Sequence, residues 1–301
     1  MRTLADALRW RALRHPDLPA TWFQGRTRSF AELNESTTEL AAGLVGAGIK
    51  PGDHVCVLDK NSDLYYELLI AVTKCGAIAT PINWRLTPSE VAKVATDAQC
   101  VLMVAGEEFT AVAAEAGFPA MSFAQLPRKP GAADPRLDAE NRVAWQLYTS
   151  GTTGLPKGAM LTNLNLTGLL GLLLFEVPEL RQGGRGLVAM PLYHIGGCGW
   201  AAAVMATGSC MVFTREVIPQ ELLQVIPEQR IEVAFLVPAV LLFMTQLPES
   251  QTADFSSLKN ILYGASPITP AVLRKSIETF KCRFTQVYGL TETTGAITAL
   301  Q

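Results

Sequence analysis

Short apolar runs alternate with segments that carry helix-start signals along nearly the whole of this chain, and that rhythm restricts the folds open to it. Runs at 54–58, 78–81, 100–104, 143–148, 187–190, 210–213, 233–237, 260–263 and 284–287 read as strands. Ser29 with Glu32 and Thr87 with Glu90 have capping-box spacing, the second with Pro88 at the first helical position, so helices are expected to begin at both. A further helix is expected from Ser62 to Gly76. Strands separated by helices form parallel sheets through right-handed crossovers. The expectation is therefore an α/β fold of two packed, mostly parallel sheets with flanking helices, in which loops at strand carboxyl ends carry the ligand. A length of 301 residues suits two packed lobes. Residues 127–141, rich in Pro, Ala, Asp and Arg, read as an exposed connector.

Composition narrows the function class. With 49% apolar and 17% charged residues the chain has enough apolar surface for a large core and does not read as disordered. A net charge of −2 without clustered Lys and Arg argues against nucleic acid as a partner. Cys56, Cys75, Cys100, Cys198, Cys210 and Cys282 are far apart, and only three histidines accompany them: His15, His54 and His194. They read as reduced thiols, not as a disulfide framework or a zinc site. The amino terminus lacks the apolar core of a signal peptide, and the apolar run at 233–247 is interrupted by Pro238 and too short to span a bilayer. The chain reads as cytoplasmic and without a transmembrane segment; peripheral membrane contact and homo-oligomerisation stay open.

Residues 149–158, T-S-G-T-T-G-L-P-K-G, concentrate hydroxyls, glycines and a lysine. Phosphate oxygens need many donors at short range; glycine lets backbone N–H groups turn inward, Ser and Thr add hydroxyls, and Lys157 adds a compact positive charge. The expected order is strand, loop, helix, with Thr162 or Asn163 capping a helix over 164–175. The spacing is not that of a Walker loop, because Pro156 stands where its second glycine belongs and Gly158 where its hydroxyl belongs. Neither a G-x-G-x-x-G nor a G-x-S-x-G is present, which weakens dehydrogenase and hydrolase readings.

Three more polar loops follow expected strands: P-L-Y-H-I-G-G at 191–197, Y-G-A-S-P at 263–267 and Y-G-L-T-E-T at 288–293. In that order after the phosphate loop, they resemble the adenylate-forming superfamily of acyl-CoA synthetases, peptide-synthetase adenylation domains and luciferases. The resemblance covers nearly the whole chain, and P-I-N-W-R-L-T at 81–87 is similar to fatty-acyl-CoA synthetases in particular.

What the resemblance implies is an acid–thiol ligase: a carboxylic acid, in particular a fatty acid, reacts with ATP to form acyl-AMP, and a thiol, usually that of coenzyme A, then displaces AMP. By similarity Thr149, Ser150, Gly151, Thr152, Thr153, Gly154 and Lys157 cradle the phosphates. Gly264, Ala265, Ser266, Gln286, Val287, Tyr288 and Gly289 border the nucleotide, and Thr291 meets the α-phosphate. Thr149 and Glu292 place Mg2+, so that Lys157, His194, Thr291 and Glu292 carry the chemistry. His194, Gly197, Trp200 and Tyr263 belong by the same similarity to the acid's pocket. Joining a carboxylate to a phosphate brings two anions together, so cations and oriented N–H dipoles must offset their repulsion, with no need for a protein nucleophile.

Trp200 lies six residues after His194 among Gly, Ala, Cys, Val and Met; it either closes the acyl pocket or is a plain core tryptophan. The chain stops at Gln301, where family members continue with an acidic ribose contact, a hinge Arg and a mobile carboxy-terminal domain bearing a lysine. The resemblance thus implies an incomplete N-terminal adenylation domain of two α/β subdomains, without its lid and poor at turnover alone, with an open sheet edge at 296–300. An amino-acid or aryl-acid adenylation domain and a non-catalytic nucleotide- or acyl-binding fragment are the alternatives. No Asp stands near His194 or Tyr263 to pair with an ammonium, which favours apolar acids.

Overall fold

The computed structural model describes residues 2–149 and 156–300. The first half of the chain supplies α1 (Leu4–Arg14), β1 (Pro19–Phe23), β2 (Arg26–Ser29), α2 (Phe30–Gly46), β3 (His54–Leu58) and α3 (Asp63–Lys74). It continues with β4 (Ile78–Ile82), α4 (Pro88–Asp97), β5 (Cys100–Ala105), α5 (Thr110–Glu115) and β6 (Val143–Thr149). Then come β7 (Lys157–Thr162), α6 (Asn163–Glu176), β8 (Arg185–Val188), α7 (Ile195–Thr207), β9 (Cys210–Phe213) and α8 (Pro219–Glu228). The last elements are β10 (Val233–Leu236), α9 (Pro238–Gln246), β11 (Asn260–Gly264), α10 (Pro270–Phe280), β12 (Arg283–Leu290) and β13 (Gly295–Leu300).

Local chemistry explains the helix starts. Ser29 N–H donates to Glu32 at 2.6 Å while Ser29 Oγ accepts from Glu32 N–H at 3.2 Å, a reciprocal cap that begins α2. Ser62 Oγ accepts from Tyr65 N–H at 3.0 Å and begins α3. At α4, Thr87 N–H donates to Glu90 at 2.8 Å and Pro88 takes the first turn. Thr162, not Asn163, caps α6, accepting from Asn165 N–H at 3.2 Å.

The strands form two sheets, ordered β13-β12-β11-β10-β8-β9-β1-β2 and β5-β3-β4-β6-β7. Neighbours are parallel except at three edges, where β1 with β2, β12 with β13 and β6 with β7 run antiparallel. The period of two along each strand divides the core. Val55 and Val57 of β3 and Val188 and Leu262 of the larger sheet face one cluster between the sheets, which α3 and α7 fill. Cys56 and Leu58 turn outward against α4 and α5; Leu187, Ile261 and Tyr263 turn outward against α8, α9 and α10. The result is two sheets joined through a shared layer of buried helices, with further helices on both outer faces. In that shared layer the Tyr66 and Phe213 rings lie 5.9 Å apart, tying α3 to the larger sheet.

Two features differ from the sequence expectation. The phosphate loop is not followed directly by a helix: β7 intervenes, pairing antiparallel with β6 so that Thr149 stands opposite Lys157. Gly158 and Ala159 hide this strand in the sequence; a Cβ at Gly158 would come within 2.4 Å of the Gln146 amide, so a larger residue there would have to displace that side chain. The β1–β2 hairpin was not expected; Gln24 and Gly25 both have positive φ, +47° and +82°, the geometry of a two-residue hairpin turn. Residues 127–141 are the expected exposed connector, without helix or strand, and are in addition strapped down: Arg9 of α1 holds Asp134 and Asp138, each at 2.8 Å, and the fully buried Lys74 lies 3.4 Å from Asp134.

Candidate functional site

Parallel strands bring their carboxyl ends to one side of a sheet, and the loops after β8, β11 and β12 meet there, facing the end of the β6–β7 hairpin. Between them lies a cavity of about 800 Å3. Thr149 and Lys157 line its mouth together with His194, Ala265, Gly289, Thr291 and Glu292. Its deeper wall is apolar, built by Leu169 and Leu173 of α6, Trp200 of α7, Phe235 of β10, Val240 of α9 and Leu262 of β11. All four sequence motifs therefore contribute to one enclosure. Ser150, Gly151, Thr152, Thr153 and Gly154 lie outside the described residues.

The mouth is polar and its charges are free. Among the described residues neither Lys157 nor Glu292 has an ion-pair partner, and both are exposed. Thr149 Oγ1 donates only a long 3.5 Å bond to the Lys157 carbonyl, so its hydroxyl is available to a ligand. Ala265 sits at φ +65°, an uncommon conformation for a side chain other than glycine, and turns the loop after β11 toward the cavity. Gly264 before it is needed for a different reason: a Cβ there would lie 2.3 Å from the Val287 carbonyl of β12.

His194 stands at the N-cap of α7, its ring 4.4 Å from that of Tyr193. Solvent reaches it through the cavity, yet protein surrounds most of the ring. This burial first, and then the charge of Arg85, hold the imidazole below its ordinary pKa, favouring the neutral form with one N–H donor. Arg85 Nη1 itself donates to the Tyr193 hydroxyl at 2.8 Å and its guanidinium lies 4.0 Å from the Trp84 ring centre. Trp200 is 4% exposed; its indole N–H donates to the Leu187 carbonyl at 2.7 Å, which fixes the ring as a cavity wall beside Phe235.

Other expected site residues stand apart from the cavity lining. Gly197 is packed under the loop, where a Cβ would lie 2.1 Å from the Pro191 carbonyl; it lets α7 start close beneath that loop. Tyr263 faces the outer core, its ring 6.2 Å from Phe284, while its neighbour Leu262 faces the cavity. Ser266 is exposed and Gln286 half-buried, and Tyr288 presents a ring that is 60% exposed. Val287 and Gly289 on either side of Tyr288 do line the cavity. Sequence reasoning missed the apolar wall, whose Leu and Val residues look like any core. It also missed Arg85, although the P-I-N-W-R stretch around it had stood out.

Thr149 and Glu292 supply a hydroxyl and a carboxylate, hard oxygen donors that suit Mg2+ when phosphate and water complete its shell. Among the described residues no group of three or more His, Cys, Asp or Glu is placed to hold a metal ion by itself. No helix among them is long and apolar enough to cross a membrane.

Comparison with known proteins agrees with this geometry. The chain is 35% identical over 309 residues to a fatty acid–[acyl-carrier-protein] ligase, ScoC, of Streptomyces coeruleorubidus, covering 97% of this chain and 59% of that protein. It is 31% identical over 299 residues to a feruloyl-CoA synthase of an Amycolatopsis species, covering 96% and 60%. It thus spans about three fifths of the length of these relatives. The fold superposes on the inhibitor-bound N-terminal domain of FACL13 from Mycobacterium tuberculosis with a TM-score of 0.92 at 26% identity, covering 100% of this chain and 79% of that one. With a match to the AMP-binding enzyme family over residues 8–301, the chain belongs to the AMP-binding, adenylate-forming enzymes.

Proposed function

We propose that the chain is the nucleotide- and acyl-binding part of an AMP-forming acid–thiol ligase whose acid is apolar, in particular a fatty acid. One observation carries this reading: a single cavity has unpaired Lys157 and Glu292 at its mouth and an aliphatic and aromatic wall in its depth. An amphiphile with a carboxylate at one end fits such a gradient, with its chain in the depth and its carboxylate at the mouth.

In this reading a carboxylate oxygen bonds to the α-phosphorus of ATP, the α–β bridging P–O bond breaks, and pyrophosphate leaves. A thiolate then attacks the acyl carbon and the bond to AMP breaks. Lys157 and Thr291 face the phosphates, offsetting the repulsion between the two anions. Neutral His194 offers its N–H to the carboxylate. Thr149 and Glu292 would hold Mg2+, which when bound neutralises charge developing on pyrophosphate. Gly264, Ala265, Ser266, Gln286, Val287 and Gly289 border the adenine, and the exposed Tyr288 ring offers a face for stacking. Ser150, Gly151, Thr152, Thr153 and Gly154 complete the phosphate cradle, and Trp200 limits the depth open to the acyl chain.

The thiol is that of coenzyme A. A carrier protein's pantetheine arm ends in the same group, and one relative is named for that acceptor, so a separate thioester-forming assay should offer each acceptor in turn. We assign the chain to the N-terminal, two-subdomain part of such a ligase, acting together with a carboxy-terminal lid domain. The test, on this domain joined to a carboxy-terminal lid domain, is carboxylate-dependent exchange of pyrophosphate into ATP across aliphatic, aryl and amino acids. Medium or long aliphatic acids should support the fastest exchange; a preference for amino acids would overturn the reading.

A further inference from the structure

The residues that line the His194 side of the cavity belong to the larger sheet, yet their backbone is held from the smaller one. Asn61, 4% exposed, follows β3 and directs its whole side chain at the segment between β8 and α7. Its amide donates to the carbonyls of Ala189 at 3.1 Å and Met190 at 3.0 Å, and its oxygen accepts from Leu192 N–H at 2.9 Å. That segment is buried and has neither helix nor strand of its own, so these three backbone groups depend on the asparagine. Asn61 is itself fixed from the end of β9: its N–H donates to the Arg215 carbonyl at 3.2 Å, and Arg215 holds the neighbouring Asp59 at 2.7 Å.

We propose that Asn61 is a positioning residue for the acid half of the reaction, setting where Pro191 and His194 stand in the cavity wall. The inference rests on the proposed acyl-activating function, since it takes the His194 side of the cavity as the place of the carboxylate. Glutamine is too long to make the three bonds, and aspartate keeps the shape but turns two donors into an anion facing two carbonyls. Ala265, Gly289 and Thr291 lie on or after β11 and β12 and make no hydrogen bond with Asn61, so a change at Asn61 should act on the acid and spare the nucleotide.

The test compares the unmutated chain with Asn61→Ala and the isosteric Asn61→Asp. It measures binding of the fluorescent fatty acid cis-parinarate, binding of mant-ATP, and the His194 ring pKa by NMR. Arg85 is the charged group acting on that ring, while Lys157 and Glu292 share the cavity with it. Both variants should bind cis-parinarate roughly tenfold more weakly, with mant-ATP within about twofold, because on one side only Asn61→Ala loses three buried hydrogen bonds and Asn61→Asp loses the two it donates and sets an anion against their carbonyls. In Asn61→Ala, which adds no charge, the His194 pKa should rise toward its ordinary value as the loop loosens. Equal weakening of both probes would mark a general structural role and overturn the proposal, as would unchanged fatty-acid binding with an unchanged His194 pKa. Should the unmutated chain bind no cis-parinarate, the acyl reading fails on its own; a rise in the His194 pKa of Asn61→Ala would then still support the bracing, and an unmoved one would overturn it.

Discussion

The mouth and the depth of the cavity are made in different ways. The mouth is assembled from loop ends, with exposed side chains that carry unpaired charge and backbone that turns sharply at Ala265. The depth is assembled from helix and strand faces, where Trp200 and Leu262 are buried against the core shared by both sheets. The exposed side chains at the mouth, Lys157 and Glu292, are therefore free to act on a ligand and contribute little to the fold. Residues in the depth hold the fold and, by their bulk, shape what can enter. A substitution at one end should change chemistry without stability, and at the other should change stability and selectivity together.

The largest expected effect tests the first half of that contrast. Lys157→Ala should slow pyrophosphate exchange by roughly 100-fold or more, the scale of losing one preorganised charge at a transition state. Its unfolding free energy should stay within about 0.5 kcal/mol, because an exposed, unpaired side chain is removed. A large stability loss would break the comparison. Trp200→Ala tests the other half: deletion of a buried indole should cost about 3 kcal/mol in denaturant unfolding. In the same variant the preferred acid should lengthen while mant-ATP binding is unchanged; an unaltered chain-length profile would reduce Trp200 to a core residue.

His194 lies on the boundary, and its expected effect is the smallest. Its folded pKa is below the ordinary value of 6.5, so in the window just below 6.5 the unfolded chain holds a proton that the folded chain lacks. Stability contributed by the neutral ring is present above that window and declines as pH falls through it. His194→Gln should flatten this decline in urea unfolding measured from pH 7 to 5. A decline of the same slope in both proteins would assign it to other groups.

The same contrast explains what could be read from the sequence. Phosphate chemistry demands particular residue types, so Lys157, His194, Ala265, Thr291 and Glu292 stood out and the fold brought them together. Strands at 54–58 and 210–213 and the caps at Ser29, Ser62 and Thr87 were equally legible, because periodicity and capping are local properties. Shape is not local. Leu169, Val240 and Phe235 become a pocket wall only when α6, α9 and β10 are placed, and each is an ordinary core residue before that. Tyr263 shows the limit within one strand: the neighbouring position Leu262 faces the cavity, and alternation sends the tyrosine to the opposite face. The hairpin partner β7 was missed because glycine and alanine, which let it approach β6, carry no strand signal. Asn61 was missed because its three partners lie about 130 residues away.

The central claim is that phosphate and acyl sites are two ends of one cavity. The most direct measurement compares the affinities of AMP, dodecanoate and the non-hydrolysable sulfamate analogue of dodecanoyl-AMP, each by competition against cis-parinarate and mant-ATP. If the two ends are continuous, the joined molecule should displace both probes and bind at least about 100-fold more tightly than either half, because its second half binds at high effective concentration. An analogue that binds no better than dodecanoate, or that displaces only one probe, would contradict the account.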